Sequence, residues 1–126
     1  MKLIIAGSRD ISLSISELET FLCKVPAKPD EIVSGCCKGV DKSAINYANH
    51  HGIPLKEFPA NWDIFGRGAG PIRNVEMAEY ADALLLIWDG KSRGSLNMKK
   101  TMDNKGKPVY SHIIPPCHRR LCKEHE

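Results

Sequence analysis

No stretch of this sequence stays apolar for the ~20 residues a membrane-spanning helix needs. The longest run, Ala81 to Trp88, is interrupted by Asp82 and reads as a buried strand. Charge of one sign is equally scarce. Eighteen Lys and Arg against 15 Asp and Glu leave a net charge of +3, mixed along the chain. Electrostatic nucleic-acid binders gather Lys and Arg on one face, and nothing marks such a face here. The opening Lys2-Leu3-Ile4-Ile5-Ala6 is too short an apolar run for an export signal. The five cysteines (Cys23, Cys36, Cys37, Cys117 and Cys122) are odd in number and two are adjacent. A cytoplasmic protein with free thiols is therefore expected. Two phosphate-binding signatures are also missing. Gly35-x3-Gly39 lacks the spacing of the dinucleotide fingerprint, and no Gly-Lys-Ser/Thr follows another glycine at the Walker A interval. There is no internal repeat and no low-complexity segment.

What is present is the balance of one soluble α/β domain: 126 residues, 42% hydrophobic and 26% charged. Residues 1–114 alternate apolar bursts with helical patterns, whereas 115–126 have no apolar periodicity and read as a frayed terminus. Strands are expected at Leu3–Ala6, Glu31–Val33, Pro54–Phe58, Ala83–Trp88 and Lys107–Ser111, with Ala83–Trp88 in the centre. Helices are expected from Ser14 to Lys24, Lys38 to His51, Gly70 to Tyr80 and Ser95 to Asn104. Ser14 or Ser16 caps the first, and Gly52 and Gly106 stop the second and the last. Pro59 to Ala69 is expected to be a loop. This order predicts a mostly parallel five-stranded sheet with helices on both faces.

In such sheets ligands bind beyond the carboxyl ends of the strands, and the candidate residues fall there. The first strand is followed by Gly7-Ser8-Arg9, and the second by Ser34-Gly35 and then Gly39-Val40-Asp41. The third helix opens with Gly70-Pro71 and carries Arg73-Asn74 in its expected first turn. The fourth strand is followed by Asp89-Gly90, Ser92, Arg93 and Gly94-Ser95. Glycine lets backbone N–H groups approach an anion, and helix N-termini offer free N–H groups and partial positive charge. Arg9, Arg73 and Arg93 supply bidentate donors. Gly and Ser also recur at turns of any parallel α/β fold, but four such loops on one edge describe a site for an anionic ligand.

Other residues have two readings. Cys36-Cys37 are packing residues or a reactive thiol at a helix start. Trp62 packs under its loop or stacks on a base. Trp88 is core or pocket wall. Asp41 caps its helix, makes a sheet-stabilising contact or faces the ligand. His50-His51 read as a favourable charge at a helix C-terminus or as plain surface. Cys117, His118, Cys122 and His125 offer four zinc-type ligands, but at no common structural spacing, so no metal is expected.

Four ordered motifs carry a resemblance. They are Ile5-Ala6-Gly7-Ser8-Arg9; Val33-Ser34-Gly35 to Gly39-Val40-Asp41-x2-Ala44; Ala69-Gly70-Pro71-x-Arg73-Asn74-x2-Met77; and Trp88-Asp89-Gly90-Lys91-Ser92-x-Gly94-Ser95. Together they resemble the SLOG superfamily, named for its DprA/Smf and LOG (Lonely guy) members, and most closely its small YspA- and YpsA-related branch. The resemblance implies a Rossmann-like three-layer α/β/α sandwich. It also implies a pocket for nucleotides or nucleotide-derived, ADP-ribose-like ligands, serving a sensor, a sequestering protein or an enzyme. No further cofactor is expected, and self-association is common among such relatives, with Met77, Tyr80 and Met98 as contributors.

Phosphoribohydrolases of the Lonely guy type use an arginine near a helix start and a glutamate in a Pro-Gly-Gly-x-Gly-Thr-x-x-Glu loop. Arg73 stands for that arginine, but the loop here runs through Gly94-Ser95 to Asn97-Met98 and ends without a carboxylate. For an enzyme, the catalytic candidates are then Arg73, Asp41 and Asp89. Where the branch often has Gly-Gly-Ala, this chain has Gly35-Cys36-Cys37-Lys38, which adds a positive charge.

Overall fold

The computed structural model of the chain describes residues 1–114. The tail, with its Cys and His residues, lies outside them. The elements follow in order as β1 (Lys2–Gly7), α1 (Ile15–Leu22), β2 (Glu31–Ser34), α2 (Val40–His51), β3 (Leu55–Glu57), α3 (Trp62–Phe65), a 3-10 turn (Gly66–Gly68), α4 (Ala69–Tyr80), β4 (Ala83–Trp88), α5 (Arg93–Asn104) and β5 (Val109–Ile113). All five strands are parallel, in the order β3-β2-β1-β4-β5. The architecture is the Rossmann-like α/β sandwich.

Side-chain alternation divides the core into two layers. Leu3 and Ile5 of β1 pack with α1 and α2, beside Leu18, Val40, Ala44 and Ala48. Ile4 and Ala6 point to the other face and pack with α4 and α5, beside Met77, Ala78, Met98 and Met102. Burial on both faces is why β1 and β4 read as unbroken apolar runs.

Local chemistry sets the ends of the helices. Ser14, not Ser16, caps α1 in a capping box: its hydroxyl accepts from the Glu17 N–H at 3.1 Å, and its own N–H donates to Glu17 Oε1 at 3.0 Å. Gly52 closes α2 in the left-handed conformation at φ 66°.

Several expectations are corrected. β1, not β4, occupies the middle of the sheet, and β4 is its inner neighbour. The segment 59–69 is not all loop, because Asn61 caps the single turn of α3 by accepting from the Ile64 N–H at 3.2 Å. α4 begins at Ala69, which moves Arg73 and Asn74 from the first turn to the second. α5 starts two residues earlier than expected, and β5 runs two residues further, to Ile113. Met77 and Met98 lie in the core and present no surface for self-association. Trp88 belongs to the core as well, with its indole N–H donating to Ser111 Oγ at 2.9 Å.

Candidate functional site

The chain leaves β1 toward β2 on one side, and after β3 it returns to β4 on the other. The crevice of this sheet therefore opens between the carboxyl ends of β1 and β4. A cavity of about 220 Å³ occupies that point. Its wall combines Gly7 of β1, Asp41 of α2, Arg73 and Asn74 of α4, and Ser92, Gly94 and Ser95 at the start of α5. Ala6, Met77 and Met98 form an apolar floor.

Two glycines make the close packing of this edge possible. A Cβ at Gly7 would run into the Ile87 carbonyl and lie 2.8 Å from a Val40 methyl. Gly39, at φ 77°, passes against the carbonyls of Ser8 and Arg9. Val40 itself is core, and its N–H points to the Ser8 carbonyl at 3.4 Å.

Arg73 is the centre of the site. Only 8% of it is exposed. Its Nε donates to Asn74 Oδ1 at 3.0 Å and its Nη1 to the Gly35 carbonyl at 2.6 Å. Nη1 and Nη2 both contact Cys37 Sγ at 3.7 Å. Nη2 thus has only sulfur as its partner among the described residues, which leaves donor capacity to spare on a residue that lines the cavity. Asn74 ties α4 to α5 by donating to Asn97 Oδ1 at 2.8 Å and to the Gly94 carbonyl at 3.4 Å.

Asp41 is 4% exposed, and its carboxylate accepts from the N–H groups of Cys37 and Gly7. Burial pushes its pKa up, while Arg73, those two N–H groups and Arg9 pull the other way. It is not the cap of α2, which is Gly39. At the start of α5, Ser92 makes no capping bond with its side chain, so the first amides of that helix have no intrahelical partner. Asp89 shapes this turn. Its Oδ1 accepts from the Lys91 and Ser92 N–H groups, both at 2.8 Å, and it bonds the Ser8 hydroxyl. These contacts, led by Lys91, hold its pKa below the usual carboxylate value.

A second cavity of about 440 Å³ adjoins the first and shares Arg9, Cys37 and Arg73 with it. Gly35, Cys36, Lys38, Pro59, Ala60 and Trp62 complete its wall. Trp62 is 48% exposed, so it does not pack under its loop; its ring edge lies over Gly70.

Not every expected residue joins these cavities. Ser34 is fully buried and spent on its own loop, donating to the Asp41 carbonyl at 3.2 Å and accepting from the Cys36 N–H at 3.2 Å. Ser8 is buried and accepts from the Asp89 N–H at 3.0 Å, which joins the ends of β1 and β4. Asp89 lines neither cavity, nor do Gly70, Pro71, Gly90 or the exposed Arg93. Gly90 instead makes a left-handed turn at φ 82° against Ile113. Conversely, Cys37, Pro59, Ala60 and the apolar floor line the cavities without having been singled out as binding residues. The position of Cys37 between Gly35 and Gly39 was the available signal.

Among the described residues, no group of three or more His, Cys, Asp or Glu is placed to hold a metal. No helix among them is long and apolar enough to cross a membrane. A family profile described as YAcAr, the YspA, cpYpsA-related SLOG family, matches residues 1–65. That stretch contains the loops after β1 and β2 and ends with α3, before Arg73. No curated protein and no solved structure gives a significant match.

Proposed function

The chain belongs to the YspA, cpYpsA-related SLOG family, and from that premise we propose that it binds a nucleotide or nucleotide-derived, ADP-ribose-like ligand as a sensor or sequestering protein. The observation that carries this reading is the pairing across one cavity of a buried guanidinium, Arg73, with the uncapped N-terminus of α5. Fixed donors facing each other around about 220 Å³ suit a phosphate group better than an apolar ligand. Gly7, Ser92, Gly94, Ser95, Arg73 and Asn74 form the anion end, and Arg9 and Trp62 the end for a sugar or base. Gly35, Gly39, Ser8, Ser34 and Asp89 act by holding those groups in place. No metal or further cofactor enters the scheme.

A second reading is a hydrolase that cleaves the N-glycosidic bond of a nucleoside monophosphate. One observation favours it: Asp41, a buried carboxylate of raised pKa, lines the same cavity as Arg73. Self-association belongs to either reading. Trp62, Ile64, Phe65, Ile72 and Val75 leave apolar surface exposed on α3 and α4, and light scattering of the purified protein tests for it.

The deciding experiment is a thermal-shift screen against AMP, ADP, ATP, NAD and ADP-ribose, with each ligand recovered for mass analysis. A ligand at a hundredfold excess over its Kd raises stability by about 2.7 kcal/mol. Ligand recovered intact supports the sensor, and ligand recovered cleaved supports the hydrolase. No shift with any of them refutes the nucleotide reading.

A further inference from the structure

Two adjacent cysteines in the β2–α2 loop stand in opposite surroundings. Cys36 adopts a left-handed backbone, φ 64°, that is uncommon for any residue but glycine. This turns its side chain toward β3, where the thiol donates to Glu57 Oε2 at 3.3 Å. Burial and that carboxylate push its pKa up to about 11, against a weaker pull from Arg73, and so disfavour its thiolate. Cys37 turns the other way. Its sulfur lies 3.7 Å from both Nη1 and Nη2 of Arg73. That guanidinium is buried and fixed by Asn74 and the Gly35 carbonyl, so it keeps its place against the sulfur. A fixed cation at this distance favours the negative charge that the sulfur carries as it attacks. Both cysteines line the outer cavity, but Cys37 alone also lines the inner one, so its neighbourhood is open from two sides.

We propose that Cys37 is a covalent modification site, taking small disulfides and soft alkylating electrophiles that enter through the outer cavity beside Arg73 and Lys38. With a disulfide, the Cys37 sulfur, its proton released to solvent, attacks one sulfur of the reagent. The old S–S bond breaks, a mixed disulfide forms, and the departing thiolate takes up a proton. With a haloacetamide, a C–S bond forms and the halide leaves. The site goes beyond the nucleotide reading and does not depend on it. Where both hold, the adduct occupies the space between Arg9, Lys38 and Trp62.

The test is timed iodoacetamide labelling of the reduced, full-length protein, with fragmentation of the peptide holding both residues to separate them. Cys37 should label about tenfold faster than Cys36. Glutathione disulfide should give a mixed disulfide on the same residue, reversed by dithiothreitol. The Cys36→Ser variant should keep the fast label and Cys37→Ser should lose it, with circular dichroism showing both folded. Equal or faster labelling of Cys36, or a Cys37 that labels only after unfolding, overturns the assignment. AMP added to the same reaction reports on the cleft separately: slowed labelling of Cys37 supports the nucleotide reading, and unchanged labelling counts against it while leaving the thiol assignment standing.

Discussion

Arg73 and Gly35 are matched in shape: Nη1 of the arginine donates to the Gly35 carbonyl at 2.6 Å, and its guanidinium fills the space that a Cβ at residue 35 would take. Gly35→Ala should therefore displace the guanidinium while the strand remains in place, because the clash is with a side-chain end. The expected result is a folded protein, a few degrees lower in Tm for about 1–2 kcal/mol of overpacking, that has lost any AMP-induced thermal shift. Gly7→Ala should behave differently. Its Cβ meets the backbone carbonyl of Ile87, which cannot yield, so no folded protein should be recovered. A Gly35→Ala protein that still answers to AMP would mean that Arg73 is not where the anion binds.

Lys107 closes the last turn of α4 from outside that helix. Its Nζ donates to the carbonyls of Ala78 and Ala81, both at 2.7 Å, where α4 has no basic residue of its own. Lys107→Met keeps the apolar stem and removes these bonds. It should lower stability by about 1–2 kcal/mol in urea unfolding with an unchanged m-value. The ligand response should not change, because Lys107 sits at the amino edge of the sheet, away from the cleft.

Burial was readable where it acts on every residue of a segment. The run Ala83–Trp88 marked β4 to the residue, since a parallel strand covered on both faces needs an apolar side chain at each position. Its place beside the centre was not readable, because β1 is buried in the same way and strand order is a tertiary property. α3 escaped because one turn, Trp62–Phe65, is too short to show a period. In the site, glycines and serines at strand ends located the correct edge, but the sequence could not separate donors free for a ligand from donors already spent. Ser34 is occupied by the carbonyl of Asp41 seven residues on, and Ser8 by Asp89, 81 residues on. Arg93 shows the converse: it follows the correct strand, yet lines neither cavity.

His112 of β5 gives the fold an acid limit. Its Nε2 is buried without a hydrogen-bond partner among the described residues, and its ring lies 5.1 Å from that of Phe21. Burial, then the charge of Lys24, lowers its pKa from 6.5. The folded imidazole thus holds a proton more weakly than the unfolded one. Stability is full above about pH 6.5 and falls as the pH drops through the lowered value. Tm measured from pH 8 to pH 5 should decline below 6.5, and His112→Leu should flatten that decline. An equal decline in the variant would assign the acid sensitivity to other groups.

Asp41→Asn separates the two functional readings. Burial raises the folded pKa of Asp41 above its ordinary 3.8, so its contribution to stability is fully present below that value and is lost as the pH rises through the folded pKa. A neutral side chain at this position is therefore favoured over a charged one. Asparagine keeps an acceptor for the N–H of Cys37 or Gly7 without the charge. The variant should melt a few degrees higher at pH 7.5, and the gain should shrink toward pH 4. Removing the negative charge also leaves Arg73 and Arg9 less opposed in the cleft. If the protein is a sensor, the AMP-induced shift should persist or grow. If it is a hydrolase with Asp41 as its acid or base, binding should survive while release of free base falls by about 10²-fold or more. A variant that loses binding but gains stability would place Asp41 in direct contact with a donor group of the ligand, such as a ribose hydroxyl, and make it a recognition residue under either reading.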